Sequence, residues 1–291
     1  MKRLRRTMLF MPGNNPGMLI SAPILGADSI ILDLEDAVSI GEKDSARILV
    51  REAIKNMDYS NVEVVVRINP LDSEFGVLDI KEIGKVKPDS ILVPKADEKE
   101  IRLAHNLLDE IEKEEGFEKN SIKLIPLVET AFGLETVIDI LKASDRITAV
   151  LLGGEDLTSD LGIKRTKEGE EIFYARNKIA SVCRAYKVDA IDTPFTDTND
   201  YEGLEKDTLK AKSLGLTGKA AINPRQIDAI HSVFAPSEAE VKHAIKILDA
   251  MEEAKRENKG VFSVDGKMVD APVINRALQI VELAKILGEL K

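Results

Sequence analysis

Short apolar runs of four to seven residues recur along the chain, and longer segments with apolar positions at helical spacing separate them. Residues 7–11 (TMLFM), 29–34 (SIILDL), 62–68 (VEVVVRI), 90–93 (SILV), 123–128 (KLIPLV), 149–152 (AVLL), 188–192 (VDAID) and 218–222 (GKAAI) are read as strands. Several are apolar without alternation, the pattern of strands buried on both faces. Between them, amphipathic helices are predicted over 15–25, 42–57, 79–86, 98–115, 168–186 and 201–214. About eight strands alternating with helices predict a parallel sheet, and eight repeats favour closure into a (β/α)8 TIM barrel over an open sheet. No G-x-G-x-x-G follows a strand, so the dinucleotide-binding alternative has no support.

The most informative stretch is 123–157, read as strand, short turn, helix, strand. Each of its strands leads into a carboxylate: Glu129 after IPLV, and Asp156 after AVLLGG. Beyond the barrel, 237–258 reads as one charged helix, 260–268 as a hairpin around Asp265-Gly266, and 273–290 as a final helix. The expected organisation is a barrel over residues 1–235, the catalytic domain, and a helical C-terminal extension over 236–291.

Composition narrows the function. The 291 residues carry a net charge of −10, which argues against nucleic-acid or membrane-surface partners. The single cysteine, Cys183, leaves no internal disulfide and reads as a small buried side chain. No apolar run approaches membrane-spanning length and no leader pattern opens the chain, so a cytoplasmic location is expected. Lys2, Arg3, Arg5 and Arg6 form a basic start: the first two read as a solvated tail, the last two as available to an anionic ligand.

Reactive groups of such barrels sit at the carboxyl ends of the strands. Here those positions hold Asp33, Glu35 and Asp36; Arg67 and Asn69; Lys95; Glu129; Asp156; Asp192; and Asn223 with Arg225. An oxygen-only, carboxylate-rich set suits Mg²⁺. His105, His231 and His243 fall in charged helices and are expected at the surface, which disfavours zinc. Glu129 and Asp156, on neighbouring strands, either share one cation or cap the helices that follow them. The three acids after the second strand compete for the same role, with hydrogen bonding to loop backbone as their other reading. Arg67 requires an anionic partner, either a substrate oxygen or the acidic cluster. Lys95 is open to Schiff-base chemistry or to a salt bridge with nearby acids.

The segments LFMPGNNPGML, DLEDAVSIGEKDSAR, VVVRINPLDSEFG, LVPKAD, LVETAFG, GGEDL, GKAAINPRQI and VDGKMVDAPVINRA run in order through nearly the whole chain. In them the sequence resembles the citrate lyase β-subunit (citryl-CoA lyase) branch of the HpcH/HpaI aldolase/citrate lyase superfamily, which includes malyl-CoA and citramalyl-CoA lyases. The resemblance implies a (β/α)8 barrel, usually trimeric, with Mg²⁺ on Glu129 and Asp156. It implies substrate contacts from Arg67 and Glu129, and a catalytic acid at Asp270 of the extension that reaches a neighbouring subunit. Asp36, Lys95 and Asn223 are further substrate-binding candidates, and Arg5, Arg6, Lys95 and Arg225 candidates for a phosphate-tolerant entrance. The implied reaction is cleavage of a citryl-thioester to oxaloacetate and acetyl-thioester. The implied partners are a citrate lyase α-subunit and an acyl-carrier γ-subunit. A stand-alone malyl- or citramalyl-CoA lyase and a non-catalytic subunit remain as alternatives.

Overall fold

The structure, a computed structural model, describes residues 4–256 and 262–290. Eight parallel strands close into a barrel in chain order: β1 (Thr7–Pro12), β2 (Ser29–Asp33), β3 (Glu63–Arg67), β4 (Ser90–Val93), β5 (Lys123–Val128), β6 (Ala149–Leu152), β7 (Asp189–Asp192) and β8 (Gly218–Ala221). β8 pairs back onto β1, with Met8 opposite Ala220. The (β/α)8 architecture expected from the alternating pattern is the one found.

Side chains alternate along each strand. Met8, Ile31, Val65, Leu92, Ile125 and Ile191 fill the barrel and are buried. Their neighbours Ile30, Val64, Ile91 and Leu124 face outward and are also buried. Both sets are removed from water, which is why these strands read as unbroken apolar runs.

The surrounding helices are α1 (Pro16–Ser21), α2 (Lys43–Asn56), α3 (Gly76–Gly84), α4 (Glu98–Glu115), α5 (Ala131–Glu135), α6 (Val137–Lys142), α7 (Gly154–Asp160), α8 (Phe173–Tyr186), α9 (Tyr201–Ser213) and α10 (Ile227–Phe234). Three points differ from the sequence reading. The helix after β5 is broken at Thr136, whose hydroxyl bonds to Phe132 C=O and whose backbone leaves the helical region. α8 starts five residues later than the predicted 168, because Arg165 and Thr166 bind Glu171 and hold the preceding loop. The Gly-Gly pair after β6 opens the short helix α7, which local pattern did not reveal.

The chain divides into two compact units, Met1–His231 and Ser232–Lys291. The second contains α11 (Glu238–Arg256), the hairpin β9 (Phe262–Val264) and β10 (Lys267–Val269), and α12 (Ala271–Ile286). It has its own core of Ala244, Ile247, Val264, Val269 and Ala277. Lys2, Arg3, the predicted end of the first extension helix at 257–258 and the first residues of the predicted hairpin lie outside the described residues. Among the described residues no helix is long and apolar enough to cross a membrane.

Two groups of charged residues are placed differently from expectation. Arg5 and Arg6 precede β1 and so lie at the amino ends of the strands, away from the mouth where a substrate entrance was expected. Arg5 binds Glu63 through Nε and Nη2, each at 2.8 Å, and Asp189 through Nη1. Arg6 binds Asp28. Asp192 faces out of the barrel rather than into its mouth, and is fully buried between Arg176 and Lys219. His105 and His231 are half-buried and hydrogen-bonded to Ser144 and Thr7; only His243 is fully at the surface.

Candidate functional site

A cavity of about 240 Å³ opens at the carboxyl ends of the strands. Phe10, Asp33, Arg67, Glu129, Asp156 and Thr193 are among the residues lining it. Each polar member follows or ends a strand, as the chain's parallel winding requires.

Arg67 is the last residue of β3, and its guanidinium is almost fully enclosed. Nε and Nη2 form a two-point pair with the Asp33 carboxylate, at 2.7 and 2.6 Å. Nη1 faces Glu35 at 3.0 Å and Asp36 at 3.2 Å. The Phe10 ring lies beneath it, 5.0 Å from ring centre to guanidinium carbon. Asp33 is in turn held by the backbone N–H groups of Glu35 and Ala37. Of the two readings of Arg67, the pairing with the acidic cluster is the one observed: Nε and Nη2 meet Asp33, and Nη1 faces Glu35 and Asp36. Burial alone would lower the Arg67 pKa, but its bonds to Asp33 and the charges of Asp33, Glu35 and Asp36 hold it above the ordinary value.

The loop bearing these acids is fixed from behind. Lys43 is buried and donates to the carbonyls of Leu34 and Glu35. Asn69 donates to the same Leu34 carbonyl and to Asp79, which also binds Arg47. Asn69, a candidate by position, thus shapes the loop and does not line the cavity.

Glu129 follows β5 directly and is 3% exposed. Its Oε1 accepts from the backbone N–H of Lys95 at 2.7 Å. Lys95 has φ +45°, the left-handed region, which turns that N–H toward Glu129. The Lys95 side chain is exposed, so its clearest contribution to the site is the backbone donor. Burial pushes the Glu129 carboxyl up to about 8; the Lys95 N–H opposes this, and the charges of Glu35 and Asp156 add to it. Glu35 is likewise pushed up to about 7 by burial, against the pull of Arg67 and with the push of Asp36 and Asp33. Its Oε2 is enclosed without an aligned hydrogen-bond donor.

Asp156 lies in the first turn of α7 and is exposed toward the cavity it lines. Gly153 and Gly154 bring that turn close: an added Cβ at Gly153 would lie 2.6 Å from Glu129 Cβ. Asn223 is half-buried and outside the cavity lining; its side chain caps the turn Pro224–Gln226. Arg225 in that turn is exposed. Asp270 belongs to the second unit, where it is exposed and caps α12 by accepting from Val273 N–H.

Five carboxylates (Asp33, Glu35, Asp36, Glu129 and Asp156) thus surround the mouth, against Arg67, the Lys95 ammonium and Lys43 behind the loop. Two of them resist ionisation, one with an oxygen that Arg67 approaches at 3.0 Å without an aligned hydrogen bond. That is the donor chemistry of a hard divalent cation, which would relieve the repulsion and take oxygen ligands only. Among the described residues no three His, Cys, Asp or Glu side chains close on an ion unaided. Glu129 and Asp156 would therefore be completed by water and substrate oxygens, as Mg²⁺ commonly is. Thr193 and the buried Lys219 behind it escaped the sequence reading; a lysine inside the apolar run GKAAI was the available signal.

A closed (β/α)8 barrel with an arginine and a cluster of acids at its mouth has the build of an enzyme that acts on anionic substrates at the strand ends. Residues 6–224 match the HpcH/HpaI aldolase/citrate lyase family model, and the chain belongs to that family. It is 45% identical over 284 residues to the citrate lyase subunit beta of Leuconostoc mesenteroides subsp. cremoris, covering 97% of this chain and 94% of that protein. It is 35% identical to the L-malyl-CoA/beta-methylmalyl-CoA lyase of Rhodobacter capsulatus, over 98% of this chain and 96% of the relative. Among solved structures, the CitE protein of Mycobacterium tuberculosis in complex with magnesium, acetoacetate and coenzyme A superposes with a TM-score of 0.80. Its sequence identity is 27%, over 97% of this chain and 98% of that one.

Proposed function

We propose that this chain is the citryl-thioester-cleaving β-subunit of a citrate lyase, a Mg²⁺-dependent carbon–carbon lyase releasing oxaloacetate and acetyl-thioester. The observation that carries the reading is the excess of carboxylate over cation at the barrel mouth, centred on Glu129, in a chain 45% identical to a citrate lyase β-subunit. The magnesium and coenzyme A in the mycobacterial relative's complex support the cofactor and the thioester class.

Glu129 and Asp156 would hold the Mg²⁺. When bound, the ion supplies Lewis acidity to substrate oxygens and lowers the pKa of a hydroxyl it touches. Glu129 must give up its proton to serve as a ligand. Arg67, its orientation fixed by Asp33, offers Nη1 to the negative charge that develops on the thioester oxygen, where a preorganised cation acts more strongly than water. As the citryl hydroxyl gives its proton to solvent at the open mouth and its carbon becomes the ketone of oxaloacetate, the bond from that carbon to the acetyl-thioester carbon breaks and the electron pair passes to the thioester enolate. Asp270 is the acid proposed to protonate that enolate. Residues 1–235 would carry the catalytic barrel, and 236–291 would contribute Asp270. Asp36, beside Arg67, and Lys95 and Asn223 at the rim, are proposed as outer substrate contacts. A homotrimer, an α-subunit and acyl-carrier γ-subunit as partners, and a cytoplasmic location complete the proposal by analogy with the citrate lyase branch.

Purified protein with Mg²⁺, assayed against citryl-, malyl- and citramalyl-thioesters, is expected to cleave citryl-thioester fastest and to lose activity with EDTA. Preference for malyl- or citramalyl-CoA would reassign the substrate, and no metal-dependent turnover on any of them would remove the catalytic reading.

A further inference from the structure

Helix α7 lacks a cap of its own. Its N-cap residue is Gly153, which has no side chain to accept from the first-turn N–H groups left free at any helix start. A Ser or Asp there would collide with Glu129, because even a Cβ at Gly153 would sit 2.6 Å from Glu129 Cβ and 2.8 Å from its Oε2. The missing acceptor comes from elsewhere in the barrel. Thr193, just past β7, accepts the buried Gly154 N–H on Oγ1 at 2.9 Å. On the other side, Gly153 N–H donates to Val128 C=O at the end of β5, next to Glu129.

Thr193 is itself anchored. It is 1% exposed, and its carbonyl accepts from Lys219 Nζ at 2.8 Å. Lys219 also binds Asp192 and Asp207, each at 2.6 Å, and Arg176 binds the same two acids, so two cations face two anions in a buried quartet. The path runs from this rigid cluster through Thr193 to the first turn of α7, where Asp156 sits.

We infer that Thr193 is a positioning residue for Asp156: its hydroxyl caps α7 from the neighbouring strand and so fixes the second carboxylate of the cation site relative to Glu129. The inference rests on Asp156 being a metal ligand, as proposed above. It assigns Thr193 no contact with the reacting atoms.

The test is a calorimetric titration of full-length protein with Mg²⁺ alone, without substrate, on wild type, Thr193→Val, Thr193→Ser and Asp156→Asn. Valine keeps the shape and removes the acceptor, and is expected to weaken Mg²⁺ binding about tenfold, the scale seen when a partner orienting a ligand is lost. Serine keeps the acceptor and is expected to stay within about twofold of wild type. Amide exchange is expected to quicken at Gly154 in the valine variant while β5 stays protected. Wild-type binding by Thr193→Val beside an impaired Asp156→Asn would overturn the inference, as would equal loss in the serine and valine variants. Wild-type binding by Asp156→Asn would remove the metal-ligand reading beneath it. If Thr193→Val does not fold, Thr193→Ala deletes the same acceptor without placing a methyl against Gly154, and is read the same way.

Discussion

The two ends of the barrel are both rich in charge and are built on opposite principles. At the amino end the charges are matched: Arg5, Lys123 and Lys187 line one hollow with Glu63, Asp89 and Asp189. Arg5 lies in a two-point pair with Glu63, Ser29 Oγ donates to Glu63 at 2.5 Å, and Arg5 reaches across to Asp189 and Thr148. At the carboxyl end five carboxylates share three cations, Arg67, Lys43 and Lys95. Burial is the main force that raises the Glu129 and Glu35 pKa values, and the charges of neighbouring acids add to it. A balanced buried network holds the fold together, and removing one partner strands the other. An unbalanced one can take up added positive charge, and it is there that Mg²⁺ is proposed to bind. Size does not separate them: the hollow beside Arg5, about 540 Å³, is larger than the 240 Å³ mouth. Charge balance separates them.

Glu129→Gln breaks the mouth's surplus most directly. The amide still accepts from Lys95 N–H but cannot serve as an anionic ligand. Citryl-thioester cleavage is expected to fall roughly 10³-fold or more. The melting temperature is expected to hold or rise, since a carboxyl strained by burial has been neutralised. A fully active variant would refute the role given to Glu129.

Glu63→Gln, at the other end, should show the reverse pattern. It leaves Arg5 buried with half its partner charge, and a loss of about 3 kcal/mol in denaturant-measured stability is expected. The folded fraction should keep its kcat. A stable variant would mean that the matched network contributes little.

The most gradual effect lies in pH. Glu129 ionises near 4.5 in the unfolded chain and only near 8 in the fold. Below 4.5 both states keep the proton, so pH changes nothing. Between 4.5 and 8 the unfolded chain loses it first, so stability of the metal-free protein falls as pH rises, by at most about 1.4 kcal/mol per pH unit. Melts from pH 5 to 8 should decline more steeply for wild type than for Glu129→Gln, and Mg²⁺ should reduce the difference by displacing the proton. Parallel curves for the two proteins would contradict the raised value.

Much of the fold was legible because each barrel strand is a local event. Unbroken apolar runs such as SIILDL and VEVVVRI can lie only between two buried faces, and their alternation with helices leaves few topologies. The residues at the carboxyl ends followed from the same pattern, which is how Asp33, Arg67, Glu129 and Asp156 were singled out. Arg5 and Arg6 could have been placed correctly too, because a residue before a parallel strand must lie at the opposite face from the mouth. Other features depend on neighbours distant in sequence. Asp192 and Lys219 face outward because of strand parity near the ends of short strands, where one residue of phase reverses the direction. Glu35 and Glu129 titrate as they do because of enclosure by segments up to a hundred residues apart.

The sequence by itself determined the eight-strand alternation, the acid-rich mouth and the family. Those are properties of period, of residue type and of position relative to each strand, and they survive without knowledge of contacts. Only the tertiary structure decided how the acids divide their work. It set Asp33 as the fixed partner of Arg67, left Glu129 and Glu35 short of compensating charge, and gave α7 its cap from Thr193. Hydrogen bonds and desolvation act over a few ångströms between chain segments, and a linear pattern does not carry those distances.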